Sequence, residues 1–138
     1  MNGGLIFFLA AVIIIGAVLF ALITISKRGG GLDVDKYRIR WMEIEQSMVK
    51  GNEPSYHLAV LNADKLVDQA LKDRGTRGQT MGARMKSANK LFTQRDAVWS
   101  SHKLRNKIAH ESGAKVSYEQ ARRSLAGFKR ALKDLGAI

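Results

Sequence analysis

The feature that most constrains this chain is an uninterrupted apolar run near its N-terminus. Leu5–Ile25 contains 21 residues and neither a charge nor a proline. As an α-helix it would be about 31 Å long, which matches the hydrocarbon core of a bilayer. A cleaved signal peptide is the competing interpretation. However, no lysine or arginine precedes the run, the run is longer than an h-region, and no clear small-x-small cleavage site follows. We therefore predict a transmembrane anchor at residues 1–26 that is retained, with the lipid bilayer as its partner.

The charges that flank this run predict its orientation. Met1–Gly4 carries no charged side chain, whereas Lys27 and Arg28 follow the run directly and Lys36 lies shortly after it. Positively charged flanks stay in the cytoplasm. We therefore expect the N-terminus to face the outside of the cell and the part of the chain after the run to lie in the cytoplasm.

Helical periodicity replaces the apolar run in the remainder of the chain. Residues 27–34 form a basic, glycine-rich linker, and residues 35–138 form the second domain. Apolar residues recur there at intervals of three and four, which is the spacing of a buried helix face. The five stripes that predict helices are Tyr37–Met48, Ala59–Leu71, Met81–Phe92, Ala97–Ile108 and Ala121–Leu135. No segment alternates with period two, so the predicted fold class is all-α: an N-terminal transmembrane helix followed by a bundle of about five helices.

Local signals predict where two of these helices begin. Asn52 precedes Pro54, and a proline in the first helical turn costs no hydrogen bond because its N–H would be unpaired there anyway. Ser117 is followed three residues later by Gln120, the pattern of a capping box. The glycines of Gly75–Gly78 predict a loop between the second and third helices of the bundle.

The composition restricts the chemistry that the bundle can perform. The chain has no cysteine, which excludes disulfides, thiol nucleophiles and cysteine-bound zinc. Its formal net charge is +11, and such a surface favours nucleic acid or an anionic membrane. The alternative is that the charge only keeps the domain soluble. We predict no cofactor and no metal, because His102 and His110 are too far apart on a straight helix to share one ion.

A cluster of polar residues on the fourth bundle helix is the candidate site. His102, Asn106 and His110 follow one another at four-residue steps, and Arg105 lies about 60° to the other side of His102. Leu104 points the opposite way. The pattern therefore predicts a helix held by its apolar face, with this polar and cationic face turned outward.

The residue types in this cluster suit a phosphodiester. An imidazole can take a proton from a ribose 2′-hydroxyl or return one to the leaving oxygen. A guanidinium matches phosphate oxygens and stabilises charge that builds on phosphorus. We therefore predict His110 as the acid–base group, Arg105 as the phosphate clamp and Asn106 as the residue that orients them. One bundle supplies a single such histidine, so a homodimer through this helix would supply a second.

Basic residues around the cluster extend the candidate surface for RNA. From Arg74 to Lys107 there are nine lysines and arginines and one acidic residue. A cationic face with an aromatic residue can bind the RNA backbone and stack a base. The predicted RNA or phosphate contacts are His102, Lys103, Lys107, Arg95 and Trp99. The alternative is that these charges form an ordinary solvated helix face.

The segment Arg105-Asn106-Lys107-Ile108-Ala109-His110, on the penultimate helix of a small all-α bundle, resembles the R-x4–6-H motif of the HEPN superfamily. The resemblance implies a helical bundle that works as a dimer, in many members as a metal-independent ribonuclease and in others as a binding or scaffold module. It places Arg105, Asn106 and His110 in the motif. The wider pattern also resembles small bacterial proteins with a membrane anchor, which implies the bacterial cytoplasmic membrane as the location.

Two functional hypotheses follow from these patterns. The first is a membrane-anchored, metal-independent endoribonuclease or RNA-processing factor. The second is a non-catalytic scaffold or RNA- or protein-binding module at the membrane, with a protein partner that the sequence does not identify. A purely structural role for the motif is the remaining alternative.

Overall fold

The computed structural model describes residues 2–28 and 31–138 of the chain. It divides the chain into two compact units, one N-terminal to Gly31 and the other from Gly31 to Ile138. The described residues contain six α-helices, one short 3-10 turn and no strand, so the predicted all-α fold class is confirmed.

The N-terminal unit is one long apolar helix, α1, from Gly3 to Arg28. Its segment Gly3–Thr24 spans 22 residues and includes an 18-residue stretch with a mean hydropathy of 3.2, none of which is buried. This helix is long and apolar enough to cross a membrane, as the sequence predicts. It continues to the second residue of the predicted linker. Gly29 and Gly30, the first two glycines of that linker, lie outside the described residues.

The second unit is a bundle of five α-helices, which agrees with the predicted number. Its helices are α2 (Val34–Ser47), α3 (Glu53–Asp73), α4 (Met81–Ser87), α5 (Arg95–His110) and α6 (Tyr118–Asp134). The longest of them, α3, contacts α2, α4, α5 and α6, and α5 packs against both α3 and α6. The candidate residues on α5 therefore lie on a helix with two packing partners.

The core of the bundle is built from the stripes that the sequence predicts. Apolar side chains at helical spacing leave water together, which provides most of the stabilisation of such a fold. The fully buried members include Tyr37 and Trp41 of α2, Ala59, Ala63 and Leu71 of α3, and Ala121, Phe128 and Leu132 of α6. All core residues lie between Tyr37 and Ala137, so the bundle has a core of its own.

Side-chain caps fix the starts of four of the five bundle helices, and α5 is the one without such a cap. The Asn52 side chain accepts a hydrogen bond from the backbone N–H of Ser55 at the start of α3. Ser117 and Gln120 form the predicted capping box at the start of α6, with both reciprocal hydrogen bonds present. Each cap satisfies a backbone N–H that has no partner within the helix.

The third bundle helix is shorter than the stripe Met81–Phe92 predicts. It ends at Ser87 and is followed by a 3-10 turn over Asn89–Leu91. Phe92 lies beyond the turn with an extended backbone and is buried. The backbone N–H of the next residue, Thr93, donates to the Asp134 carboxylate at the end of α6. The chain therefore leaves its helix in order to bury Phe92 and reach α6, a tertiary demand that the periodicity does not contain.

An ion pair fixes α4 to α3. The Arg84 guanidinium contacts both oxygens of Asp68, at 2.7 and 3.0 Å, and also donates to the carbonyl of Gly78 at 2.8 Å. Burial by itself raises the pKa of Asp68, but hydrogen bonds from Arg84 and Lys72 outweigh it and hold this pKa below its ordinary value.

Candidate functional site

A close approach to α6 sets the position of α5. A Cβ atom on Gly127 of α6 would lie 2.5 Å from the Ser101 hydroxyl and 2.8 Å from the carbonyl oxygen of Ala97. Only a glycine leaves room for this contact. The buried Ser101 hydroxyl has one proton for two carbonyl acceptors, Ala97 of its own helix at 2.7 Å and Ser124 of α6 at 3.0 Å. This polar contact orients the helix that bears the candidate residues.

The residues of α5 that face the core differ in part from the prediction. Val98 and Ser101 are the fully buried residues of the helix. Leu104 and Ile108, which the sequence predicts to be buried, are half-buried and pack at the edge of the core. Relative to the predicted wheel, the buried side of α5 is shifted toward Ser101, the residue that a Cβ on Gly127 of α6 would meet.

A buried carboxylate joins two of the predicted site residues. Asp64 of α3 has a side chain that is only 4% exposed. One of its oxygens lies 2.7 Å from Nδ1 of His102 and the other lies 3.2 Å from Nε of Arg105. A buried carboxylate is costly unless it is paired, and here it has two partners. We refer to Asp64, His102, Arg105 and Asn106 as the Asp64 network.

The wheel predicts that His102 lies on an outward face of α5. The structure instead places its side chain against α3. Its side chain is 13% exposed and its ring packs edge-to-face against Trp99, with ring centroids 6.3 Å apart. The prediction is wrong on this point because Asp64, on the adjacent helix, draws the imidazole toward α3. Its predicted role as a phosphate contact remains a prediction.

Arg105 and Asn106 are joined directly. Nη1 of Arg105 donates to the side-chain carbonyl of Asn106 at 2.9 Å. The Arg105 side chain is 35% exposed. Within residues 2–28 and 31–138 only its Nε and Nη1 have partners, which leaves Nη2 available to a ligand. The Asn106 side-chain N–H groups are likewise available, because the hydrogen bond uses its carbonyl.

His110 lies apart from the Asp64 network. It is the last residue of α5, is exposed, and has no hydrogen bond or ion pair in the part of the chain that the structure describes. One helical turn, about 6 Å of rise, separates it from Asn106. The structure thus gathers Arg105 and Asn106 around Asp64 and leaves the imidazole of His110 in solvent nearby.

The predicted RNA contacts fall into two groups. Lys103 and Lys107 are exposed on α5. Arg95 and Trp99 are instead oriented by one residue of the preceding turn: Nε of Arg95 donates to the backbone carbonyl of Asn89, and the Trp99 indole N–H donates to its side chain at 3.2 Å. Whether these residues bind RNA stays a prediction.

Two grooves flank the exposed side of α5. One is a groove of about 560 Å³ lined by Asp96, Trp99, Ser100, His102, Lys103 and Asn106. We call it the α5 groove. The other, of about 520 Å³, lies toward α3 and is lined by Leu61, Asn62, Asp64, Lys65, Asp68, Lys72, Met81 and Arg105. His110 lines neither groove. Volumes of this size are typical of small-molecule sites.

The sequence analysis missed Asp64, the residue that organises the site. Its signal was present, because Asp64 occupies the stripe formed by Val60, Val67 and Leu71, all of which are buried. A charged residue on the buried face of a helix needs a partner, and the only question is which helix supplies it. The partners lie 38 and 41 positions further along the chain, so the spacing along α3 does not reveal them.

No group of three His, Asp or Glu side chains within the described residues is placed to hold a metal ion.

Comparison with known protein families, with curated proteins and with solved structures finds no match to this chain.

Proposed function

We propose that this chain is a single-pass membrane protein that holds a metal-independent endoribonuclease at the cytoplasmic face of a bacterial membrane. Arg105 binds the phosphate, Asn106 orients it, and His110 transfers the proton. The 2′-oxygen attacks phosphorus and loses its proton to the His110 imidazole, the bond to the 5′-oxygen breaks, and the leaving oxygen takes up a proton from water. The products are a 2′,3′-cyclic phosphate and a 5′-hydroxyl.

The Asp64 network is the observation that carries this proposal. Asp64 holds the Arg105 guanidinium against Asn106 while Nη2 stays available, so the clamp keeps its position before any ligand arrives. Donors that are oriented in advance stabilise developing charge without further reorganisation. The exposed imidazole of His110 lies one turn along the same helix, within reach of a substrate that spans both.

Cleavage by the full chain in detergent and chelator tests the proposal. We expect a 2′,3′-cyclic phosphate product that His110→Ala abolishes while its helical circular dichroism is unchanged. His57→Ala, which removes an imidazole outside the Asp64 network, is the matched control and should cleave like the unaltered chain. A folded chain that leaves RNA intact, or an active His110→Ala, contradicts the proposal.

A non-catalytic RNA-binding module at the membrane is the second candidate. It is favoured by the position of His110, which lines neither groove and contacts no residue of the Asp64 network. This candidate predicts RNA binding that weakens as salt increases, with no product formed. Binding without cleavage in the same assay would support it over the nuclease.

The topology has a test of its own, because the chain has no cysteine. Asn2→Cys and Ser112→Cys each introduce a single thiol, one before α1 and one after α5. In intact cells a membrane-impermeant maleimide should label the first and not the second. The opposite pattern would contradict the proposed orientation and remove access to cytoplasmic RNA.

A further inference from the structure

The α5 groove contains a histidine that the proposed mechanism does not use. Nδ1 of His102 lies against Asp64, while the same ring lines the groove. A buried carboxylate that also pairs with an arginine only accepts hydrogen bonds, so Nδ1 carries a proton. Nε2 has no partner among the described residues and is not enclosed by protein, so it is the ring nitrogen left for a ligand in the groove. When the ring is neutral this atom accepts a hydrogen bond, and when the ring is charged it donates one.

Three of the other five residues of the groove suit one unpaired nucleotide. Trp99 and His102 form an aromatic corner with their rings at 80°, and the Trp99 indole is fixed by its hydrogen bond to Asn89. A base can stack on such a ring. The exposed Lys103 supplies a cation for a phosphate, and Asn106 supplies side-chain N–H donors for an acceptor.

From this geometry we infer that the α5 groove is a ribonucleotide subsite, in which Nε2 of His102 bonds the ribose 2′-hydroxyl and Asp64 positions the ring. The inference rests on the proposed RNA substrate and names the residue that distinguishes RNA from DNA. The 2′-hydroxyl is the one group that separates the two, and it can both donate and accept. It therefore satisfies Nε2 in either protonation state of the ring.

The subsite also explains the two histidines on one helix. His102 and His110 are eight residues apart, about 12 Å along the axis, which is too far for both to act on one phosphodiester. In this arrangement His102 holds a nucleotide adjacent to the one that is cut, and His110 acts at the bond.

Binding of three matched probes tests the inference without relying on cleavage. The full chain carrying His110→Ala, in nanodiscs of neutral phosphatidylcholine, is titrated with fluorescent pentamers of uridine, of 2′-fluorouridine and of deoxyuridine. Fluorine removes the hydroxyl donor while keeping the sugar conformation of RNA. We expect the uridine pentamer to bind about threefold to tenfold more tightly than the 2′-fluoro pentamer, as expected for one hydrogen bond.

Variants then identify the residue responsible. His102→Phe keeps an aromatic ring against Trp99 but lacks Nε2, so the preference for uridine over 2′-fluorouridine should disappear. Lys103→Ala should weaken all three probes by the same factor, because it removes only a phosphate contact. Lys133→Ala, on the exposed face of α6, is the matched lysine control and should leave the preference unchanged.

Two results overturn the inference. One is equal affinity for uridine and 2′-fluorouridine in the chain with His102 present, a measurement that does not depend on the folding of any His102 variant. The other is a preference that survives in His102→Phe. Neither depends on catalysis: cleavage without a 2′-hydroxyl preference would refute the subsite alone, and a preference without cleavage by the unaltered chain would refute the nuclease alone.

Discussion

Replacing Gly127 with alanine tests the helix contact that positions the candidate site. Helix propensity alone predicts that an alanine in the interior of α6 stabilises the bundle by about 1 kcal/mol. The structure predicts the opposite sign. The added Cβ would lie 2.8 Å from the Ala97 carbonyl oxygen, which is backbone and can move only if α5 moves. Overpacking of this kind costs about 1–3 kcal/mol, so we expect a net destabilisation of about 1 kcal/mol.

Thermal unfolding of the fragment Gly31–Ile138, which contains the whole core, measures this difference. A loss of 1 kcal/mol lowers Tm by about 4–8 °C in a domain near this size. Gly82→Ala is the control, because a Cβ there meets no atom within 4 Å and should not lower Tm. Adding Ser101→Ala to Gly127→Ala removes one of the two clashes and should recover only part of the loss. If Gly127→Ala raises Tm as propensity predicts, the close approach of α5 and α6 is wrong.

Three further predictions concern the contacts that hold the bundle together. Arg84→Met should destabilise it by about 2 kcal/mol, because Asp68 loses its main partner. Folding lowers the pKa of Asp68 below its ordinary value of 3.8, so its pairing stabilises the fold above that pH and is lost as the pH falls. As the pH is lowered from about 5 to about 3, Arg84→Met should therefore lose less unfolding free energy than the unaltered chain, measured by urea titration at each pH. Tyr37→Phe removes the 2.6 Å hydrogen bond to Asp73 and should cost about 1 kcal/mol at neutral pH. Because that bond lowers the pKa of Asp73, the cost should shrink in acid, and a constant difference from pH 7 to pH 3 would contradict it. Ser117→Ala should lower the unfolding free energy by about 1 kcal/mol, because it removes the capping box. An unchanged midpoint of urea unfolding would show that the capping box does not contribute to stability.

The sequence predicts the helices well because each helix face is encoded locally. The stripe ending at Leu135 and the cap at Ser117 require only neighbouring residues to be recognised, and both are confirmed. The early end of α4 is different. It depends on Thr93 meeting Asp134, 41 positions away, and no local pattern carries that information.

The candidate site shows the same division between local and tertiary information. The sequence places Arg105 and Asn106 together on α5, and the structure joins them. It also places His102 on an open face. This is wrong because Asp64 of the adjacent helix α3 pairs with the imidazole. Gly127 permits the close approach of α6 to α5, and its lack of a side chain gives no periodic signal. A wheel drawn for one helix cannot show which residues its neighbour will contact.

The energetic cost of the Asp64 network is an argument that it serves more than stability. A buried ion pair is usually no more stabilising than well-packed apolar residues of similar volume, since each charge must lose its water. Asp64 occupies a stripe of α3 whose neighbours Val60 and Val67 are fully buried, so an apolar residue would suit that position for packing alone. The network instead orients two groups that remain accessible, His102 in the α5 groove and Arg105 with its available Nη2. Prepositioning of a ring nitrogen and a guanidinium is what recognition of a ribonucleotide and its phosphate requires. A charge at position 64 therefore fits the proposed ligand binding better than it fits a role in folding alone.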